Sequence, residues 1–415
     1  MKEPVASGCS PEQEVILSAL RVGRGWEDRL RESLRREPDW DILSRTAGVH
    51  GVLPFLYARL KEAAQDLGPQ AEMVRWKGLY QANARRNLVM TARLLKVLKM
   101  FEAHGIRAVP YKGPALAETA YGDVALRTFC DLDILVREQD IPKVKELLRA
   151  GGFRQRYVFT KRQEKAHRKR TCEYTFEAGN GEFLLDVHWR LAARYMLGKE
   201  IGGVWDRLGA GRLGGGKVSR LSDEDTLLML CLHGTFHLWT RLGLVCDVAR
   251  FLEAREGMDG RELLRRAEES GLRRALLLGL GLARDLLDAQ LPGGIGEEVD
   301  KDRAVGTLRA HVRSSLFRRE AGSPGFLETG WFQWKAKDRF ADKAGYVLIR
   351  ALLPTVEDWN CVRLPDSLYF LYFLFRPLRL LGMGALFPEH PQHRRAVLCA
   401  APPKPLNRDV PANSR

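Results

Sequence analysis

The chain is poor in the features of a secreted, disulfide-held or membrane-spanning protein. Its 415 residues include seven cysteines, Cys9, Cys130, Cys172, Cys231, Cys246, Cys361 and Cys399, scattered and without a CxxC pair. That odd, unclustered set argues against a disulfide framework and a zinc-finger pattern, and a cytoplasmic, reducing setting is expected. The opening stretch, MKEPVASGCSPEQEV, lacks the apolar core of a secretory signal. Long apolar runs free of charge are also missing. The most apolar window, LYFLYFLFRPLRLLGMGALF (368–387), is interrupted by Arg376, Pro377 and Arg379. Two central arginines argue against a spanning helix, so no transmembrane segment is expected. The window reads as a buried or amphipathic C-terminal helix, with peripheral membrane contact as the lesser alternative. Acidic charge is scarce relative to basic, 52 Asp+Glu against 67 Lys+Arg, for a formal net charge of +15. Such a surplus favours polyanionic partners: nucleotides, nucleic acid or anionic lipid.

What is present is enough chain for two or three domains and a sizeable core. Residues 1–104 read as helices. PEQEVILSALRVG starts after Ser10, and NLVMTARLLKVLKMFEAHG is an amphipathic run ending at Gly105. Residues 105–205 change character and read as a compact mixed α/β unit. IRAVPYKG is a short strand, PALAETAYG a short helix stopping at Gly122, and FCDLDILV a strand. DIPKVKELLRAGGF is a helix with Asp140 as its expected N-cap. CEYTFEA and EFLLDVHW are strands paired across a GNG turn. A glycine-rich stretch, LGAGRLGGGKVSRL, reads as a flexible connection. Residues 218–320 are a helical domain opened by a Ser222 cap, 321–393 a C-terminal helical segment, and 394–415 a loose Pro- and Arg-rich tail. The expected fold class is therefore α/β, a mixed-sheet core flanked by helical segments on both sides.

The most informative stretch is RTFCDLDILVRE (127–138). Strand interiors exclude aspartate, and buried carboxylates are costly unless paired or metal-bound. On a strand, residues two apart share a face, so Asp131 and Asp133 project together. Two like charges this close call for a cation. Magnesium prefers a few carboxylates plus substrate phosphates, and two such ions about 4 Å apart can clamp both oxygens of a phosphoryl centre. Asp186 in FLLDVHWRL, also inside an apolar strand-like run, is the candidate third carboxylate. Upstream, Lys112-Gly113 precede a helix starting at Pro114, whose unpaired N–H groups could hold a phosphate with help from the lysine. Arg127 is a further phosphate-facing candidate.

Other features compete for attention. HGTFH places His233 and His237 one helical turn apart, but the glutamate of a zinc-protease HExxH is missing and no third ligand is evident. Packing of the helical domain, or lining of an acceptor or base pocket, remain the readings for these two. His188 shares a strand face with Asp186 and could bond a carboxylate or substrate, or be structural. GRLGGGKV lacks the Ser/Thr of a phosphate-binding loop, and GLGLAR lies in a helical pattern. KRQEKAHRKR (161–170) reads as a solvated basic loop, with a polyanion-binding edge as the sharper alternative.

Taken together, VPYKGPALAETAYGDVALRTFCDLDILV followed by LLDVHW resembles the nucleotidyltransferase superfamily of DNA polymerase beta and the aminoglycoside nucleotidyltransferases. More narrowly, it resembles a bacterial family of uncharacterised nucleotidyltransferases. That pattern matches Lys112-Gly113, Arg127, Asp131-Leu132-Asp133 and Asp186-Val187-His188-Trp189, and continues into LCLHGTFHLWTRLGLVCDVARFL. The chain departs from the wider superfamily in having Gly113-Pro114 where Gly-Ser or Gly-Gly is usual, and a longer gap to the aspartates. The resemblance implies two magnesium ions on Asp131, Asp133 and Asp186, and a nucleoside triphosphate near Lys112, Gly113 and Arg127. It also implies transfer of a nucleoside monophosphate to an acceptor, with release of pyrophosphate, and a pocket role for His233, His237 or Asp247. The acceptor is open: a small molecule, a peptide or a protein. The rival readings are a non-catalytic nucleotide-binding or interaction protein on the same fold, and nucleotidyl transfer to RNA, which no nucleic-acid motif supports.

Overall fold

Ser10 caps the first helix, and Gln13 returns a bond to its backbone N–H. The computed structural model describes residues 9–179, 181, 183–196, 201–318 and 324–381. Five helices lead in: α1 (Pro11–Leu20), α2 (Trp26–Leu34), α3 (Trp40–Val49), α4 (Leu53–Ala63) and the 34-residue α5 (Gln70–Ala103). The mixed unit follows as β1 (Ala108–Pro110), α6 (Gly113–Leu116), a π-helical turn (Ala117–Tyr121), a 3-10 turn (Val124–Leu126), β2 (Asp131–Val136), α7 (Ile141–Ala150), β3 (Arg154–Gln155), α8 (Lys161–Arg170), β4 (Glu173–Ala178) and β5 (Phe183–His188). Gly122, at φ 74, closes the π turn as the sequence suggests. Asp140 makes no side-chain cap, because a 3-10 turn (Glu138–Asp140) already leads into α7.

Two segments differ from expectation. LGGGK is a hairpin, β6 (Gly209–Leu213) with β7 (Gly216–Arg220). Its two-residue turn is Gly214-Gly215, both at positive φ, the geometry a tight hairpin turn needs and glycine supplies. Residues 161–170 form α8, where a solvated loop is expected. Thr160 and Gln163 make a reciprocal cap, and four basic side chains in the last turn complement the helix dipole.

The sheet order is β1-β2-β5-β4-β3, with β2 and β5 parallel and the other pairs antiparallel. Its two faces differ in character. Leu132, Ile134 and Val136 of β2, with Leu185 and Val187 of β5, share a core with Leu94, Val97 and Phe101 of α5 and Val144 and Leu148 of α7. Alternation sends the intervening residues to the opposite face.

Beyond β7 run α9 (Asp223–Phe236), α10 (Leu242–Ala254), α11 (Gly260–Ser270), α12 (Arg273–Leu287), α13 (Ile295–Lys301), α14 (Arg303–Ser315), α15 (Phe326–Lys335), α16 (Phe340–Leu352), α17 (Val356–Cys361) and α18 (Tyr372–Leu381). Buried residues of α1 and α4 form one cluster with those of α9, α10 and α12. The arginines that interrupt the apolar C-terminal window have a structural role. Arg376 and Arg379 bond the fully buried Asp358 of α17 at 2.7 and 2.6 Å, while Leu374 and Leu378 are exposed. Among the described residues no helix is long and apolar enough to cross a membrane. Residues 394–415, expected as a tail, lie outside the described residues.

The helical patterning of SDEDTLLMLCLHGTFHLWTRLGLVCDVARFLEARE is split between α9 and α10 by Leu238 and Trp239, both at positive φ. Trp239 is fully buried. A Cβ on Gly234 would fall 2.4 Å from its ring, and one on Gly279 of α12 3.0 Å from it. The two glycines therefore make the slot that the indole fills. Gly234→Ala is expected to destabilise the protein by about 1–3 kcal/mol through overpacking. Urea denaturation measures this; an unchanged midpoint would show that the slot is not tight.

Candidate active site

The site grows from the parallel pairing of β2 with β5. Asp133 stands opposite Asp186 in the register, with Asp131 one pleat earlier on the same face. The antiparallel pairing of β4 with β5 adds Thr175 opposite Asp186 and Glu173 opposite His188. This face is polar where its reverse is continuous core. It carries Asp131, Asp133, Asp186, His188, Thr175 and Glu173.

Asp133 is only 4% exposed. Its Oδ1 is 2.7 Å from Lys112 Nζ and 3.0 Å from His188 Nε2. Burial works against the charged form of Asp133, but Lys112 and His188 outweigh it and hold the carboxyl well below its ordinary range. Burial likewise works against the Lys112 ammonium, yet Asp133 and Asp131 hold it above its usual value. For His188, burial is outweighed by Glu173, the Asp133 bond and Cys172, so its pKa lies well above that of a free imidazole. Glu173 Oε2 is 3.2 Å from the same Nε2. Asp186 accepts a 2.6 Å bond from the Thr175 hydroxyl.

Lys112 reaches this carboxylate because β1 ends at Pro110 and the chain turns into α6 at Gly113. Gly113 has φ +52, and a Cβ there would lie 3.2 Å from the Asp131 carbonyl oxygen. Only glycine fits both the backbone angle and this approach to the start of β2. Tyr111, beside the lysine, packs edge-on against His188 with ring centroids 5.3 Å apart.

Arg127 is placed differently from the lysine. Its Nε and Nη2 donate to the two oxygens of Asp247 in α10, both at 2.8 Å, and the Tyr121 hydroxyl also donates to Asp247 at 2.8 Å. The backbone here is pinned from α5: Asn87 Nδ2 donates to the Val124 and Arg127 carbonyls and Asn83 Nδ2 to that of Ala125. His233 sits in α9, with its ring centroid 4.5 Å from that of His237. Burial, then Lys112 and His237, push His233 well below the ordinary imidazole value, so it is neutral.

Sequence reasoning missed Thr175 and Glu173, although the hairpin register of β4 with β5 places both on the carboxylate face. It had no signal for Cys172, whose Sγ lies 3.8 Å from His188 Nδ1. Cys172, Glu173 and His188 offer three donor atoms within 4.8 Å of one another. That mixed sulfur, nitrogen and oxygen set suits a softer ion than magnesium. The three carboxylates across β2 and β5 offer oxygen alone, the donor type a hard cation takes, but among the described residues only the first set brings its ligand atoms together within that distance.

Residues 36–288 match a family described as uncharacterised nucleotidyltransferase, and this chain belongs to that family. The match begins just before α3 and ends just after α12, so it takes in the polar sheet face together with the helices flanking it. No curated protein and no solved structure matches the chain.

The elevated His188 pKa gives a pH prediction with a definite sign. A group whose folded pKa is raised contributes stability that is complete below its unfolded value and is lost as pH rises through the folded value. The stability gap between wild type and His188→Gln is expected to be largest at acidic to neutral pH and to shrink on the alkaline side. Chemical denaturation across pH, with NMR titration of the imidazole, checks this; a His188 titrating at or below the ordinary value contradicts it.

Proposed function

We propose that this chain transfers a nucleoside monophosphate from a nucleoside triphosphate to an acceptor hydroxyl or similar nucleophile, with loss of pyrophosphate. The observation that carries this reading is the shared sheet face of Asp131, Asp133 and Asp186, with Lys112-Gly113 at its edge. The all-oxygen donor set fits magnesium, and the three aspartates would hold it; when bound, it would supply positive charge to neutralise the phosphates. The residues present favour such an ion for a second reason. Asp133 already meets a cation at 2.7 Å, the Lys112 ammonium, so the site is built around positive charge.

The chain's own groups then divide the work. Lys112 moves its ammonium from Asp133 towards phosphate oxygen, contributing charge as a mobile point donor. Gly113 lets the triphosphate approach the backbone at the start of α6. His188, held protonated between Asp133 and Glu173, keeps the Asp133 carboxylate oriented and ionised. Asp186, fixed by Thr175, faces the acceptor side and can accept the proton released by the attacking hydroxyl. Bond breaking at the α-phosphorus needs little covalent help, so positioning and charge supply most of the rate. The acceptor can be a small molecule, a peptide or a protein side chain. The matched family name supports transfer of a nucleotidyl group and leaves the acceptor to experiment.

The test is incubation with each α-labelled nucleoside triphosphate, magnesium and a cell extract. Wild type is expected to transfer label. Asp131→Asn, Asp133→Asn and Asp186→Asn are each expected to lose roughly a hundredfold or more in rate, and chelation by EDTA to abolish transfer. Label transfer that survives Asp131→Asn and Asp133→Asn would sink the proposal.

A further inference from the structure

Beside the carboxylate face is a cavity of about 40 Å³, between the start of α4, the segment ahead of β2 and the start of α10. Its lining includes His50, Tyr121, Arg127, Thr128, Arg241 and Asp247. Asp247 is the only acidic residue among the described lining, and it is consumed by Arg127 and Tyr121. The Arg241 side chain has no hydrogen bond or ion pair among the described residues, although it stands at the half-buried N-cap of α10. The first amides of α10 do not call for a ligand, since Leu242 and Gly243 donate to the side chain and carbonyl of His50.

A half-buried guanidinium with no carboxylate bonded to it is stabilised when an anion arrives. Burial, then the neighbouring Arg127, push Arg241 below its ordinary value, with partial relief from Asp131 and Asp247. His50 adds no positive charge of its own, because burial and Arg241 push its pKa down to about 4. The Asp247 pair uses Nε and Nη2 of Arg127, leaving Nη1 as a second donor group. The cavity volume holds roughly three waters, about the room of one phosphate group. Arg127 and Thr128 of the lining stand in the segment that leads directly into Asp131, which puts the cavity next to the start of β2.

We infer that this cavity is an anion site in which Arg241, with Nη1 of Arg127 beside it, binds the terminal phosphate of the nucleoside triphosphate. The inference rests on the nucleotidyl-transfer reading and adds Arg241 as a triphosphate ligand from the helical side. It gives the bonded pair Arg127–Asp247 a purpose: Asp247 holds one edge of Arg127 rigid so that the other edge faces the phosphate.

The experiment is calorimetric titration of the full chain with inorganic tripolyphosphate, and separately with orthophosphate, both with magnesium present. Wild type, Arg241→Gln and Arg241→Lys are compared, with their unfolding midpoints. Wild type is expected to bind tripolyphosphate. Arg241→Gln is expected to weaken that binding at least about tenfold at an unchanged midpoint, with Arg241→Lys between the two. Three results overturn the inference: tripolyphosphate binding unaffected by Arg241→Gln, no tripolyphosphate binding by wild type, or a loss confined to orthophosphate, which would assign the pocket to a phosphorylated acceptor. The label-transfer assay separates the two levels. Transfer with an unchanged KM for the triphosphate in Arg241→Gln defeats the anion site alone. Arg241-dependent tripolyphosphate binding without any transfer defeats the reaction alone.

Discussion

A carboxylate buried to 4% exposure on a sheet face must be matched by positive charge, and Asp133 sets that condition for everything around it. Lys112 and His188 meet it from opposite sides, one from the turn after β1, the other from the end of β5. That requirement explains why a lysine stands where the chain bends sharply at Gly113. It also explains why an imidazole that would ordinarily titrate near neutrality is held as a cation. The reverse face of the same strands is apolar, so the sheet is fixed by hydrophobic burial against α5 and α7 while its polar face stays available for chemistry. An ion pair of this kind makes a poor source of stability, because desolvation offsets most of the attraction. Its value lies in keeping the carboxylate charged and aimed.

The helical parts are tied to this face by a few directed bonds. Arg127 joins the segment before β2 to α10 through a bidentate pair with Asp247, and Asn83 and Asn87 of α5 fix the same segment from the other side. His50, at the end of α3, caps the start of α10. The segment leading to Asp131 is therefore braced by helices from both before and after it in the chain. The family match, 36–288, takes in all of these braces.

The sequence made the sheet face legible because strand alternation is a strong local rule: acids two apart in an apolar run can only share a face. The third carboxylate was readable for the same reason, though its neighbour across β2 could be fixed only by the pairing register. Asp140 does stand at the N-cap of α7, though without a side-chain bond, while the basic run of α8 and the hairpin at Gly214-Gly215 were misread or missed. In each case a cap, dipole or two-residue turn decided a structure that composition alone describes as loop. The partner of Arg127 lies 120 residues away in the chain. Nothing local marks it, because an arginine aimed at phosphate and an arginine bonded to aspartate look alike in one dimension. Arg241 escaped notice for the complementary reason: what distinguishes it is a side chain with no bonded carboxylate among the described residues, visible only once the neighbouring helices are in place.

The most direct test of the central claim is diffraction from crystals grown with manganese and a non-hydrolysable nucleoside triphosphate, using the anomalous signal of the metal. The account predicts manganese between Asp131, Asp133 and Asp186, with the Lys112 ammonium displaced from Asp133 onto a phosphate oxygen. Lys112 still paired with Asp133, and metal either absent or seated instead on Cys172, Glu173 and His188, would contradict it.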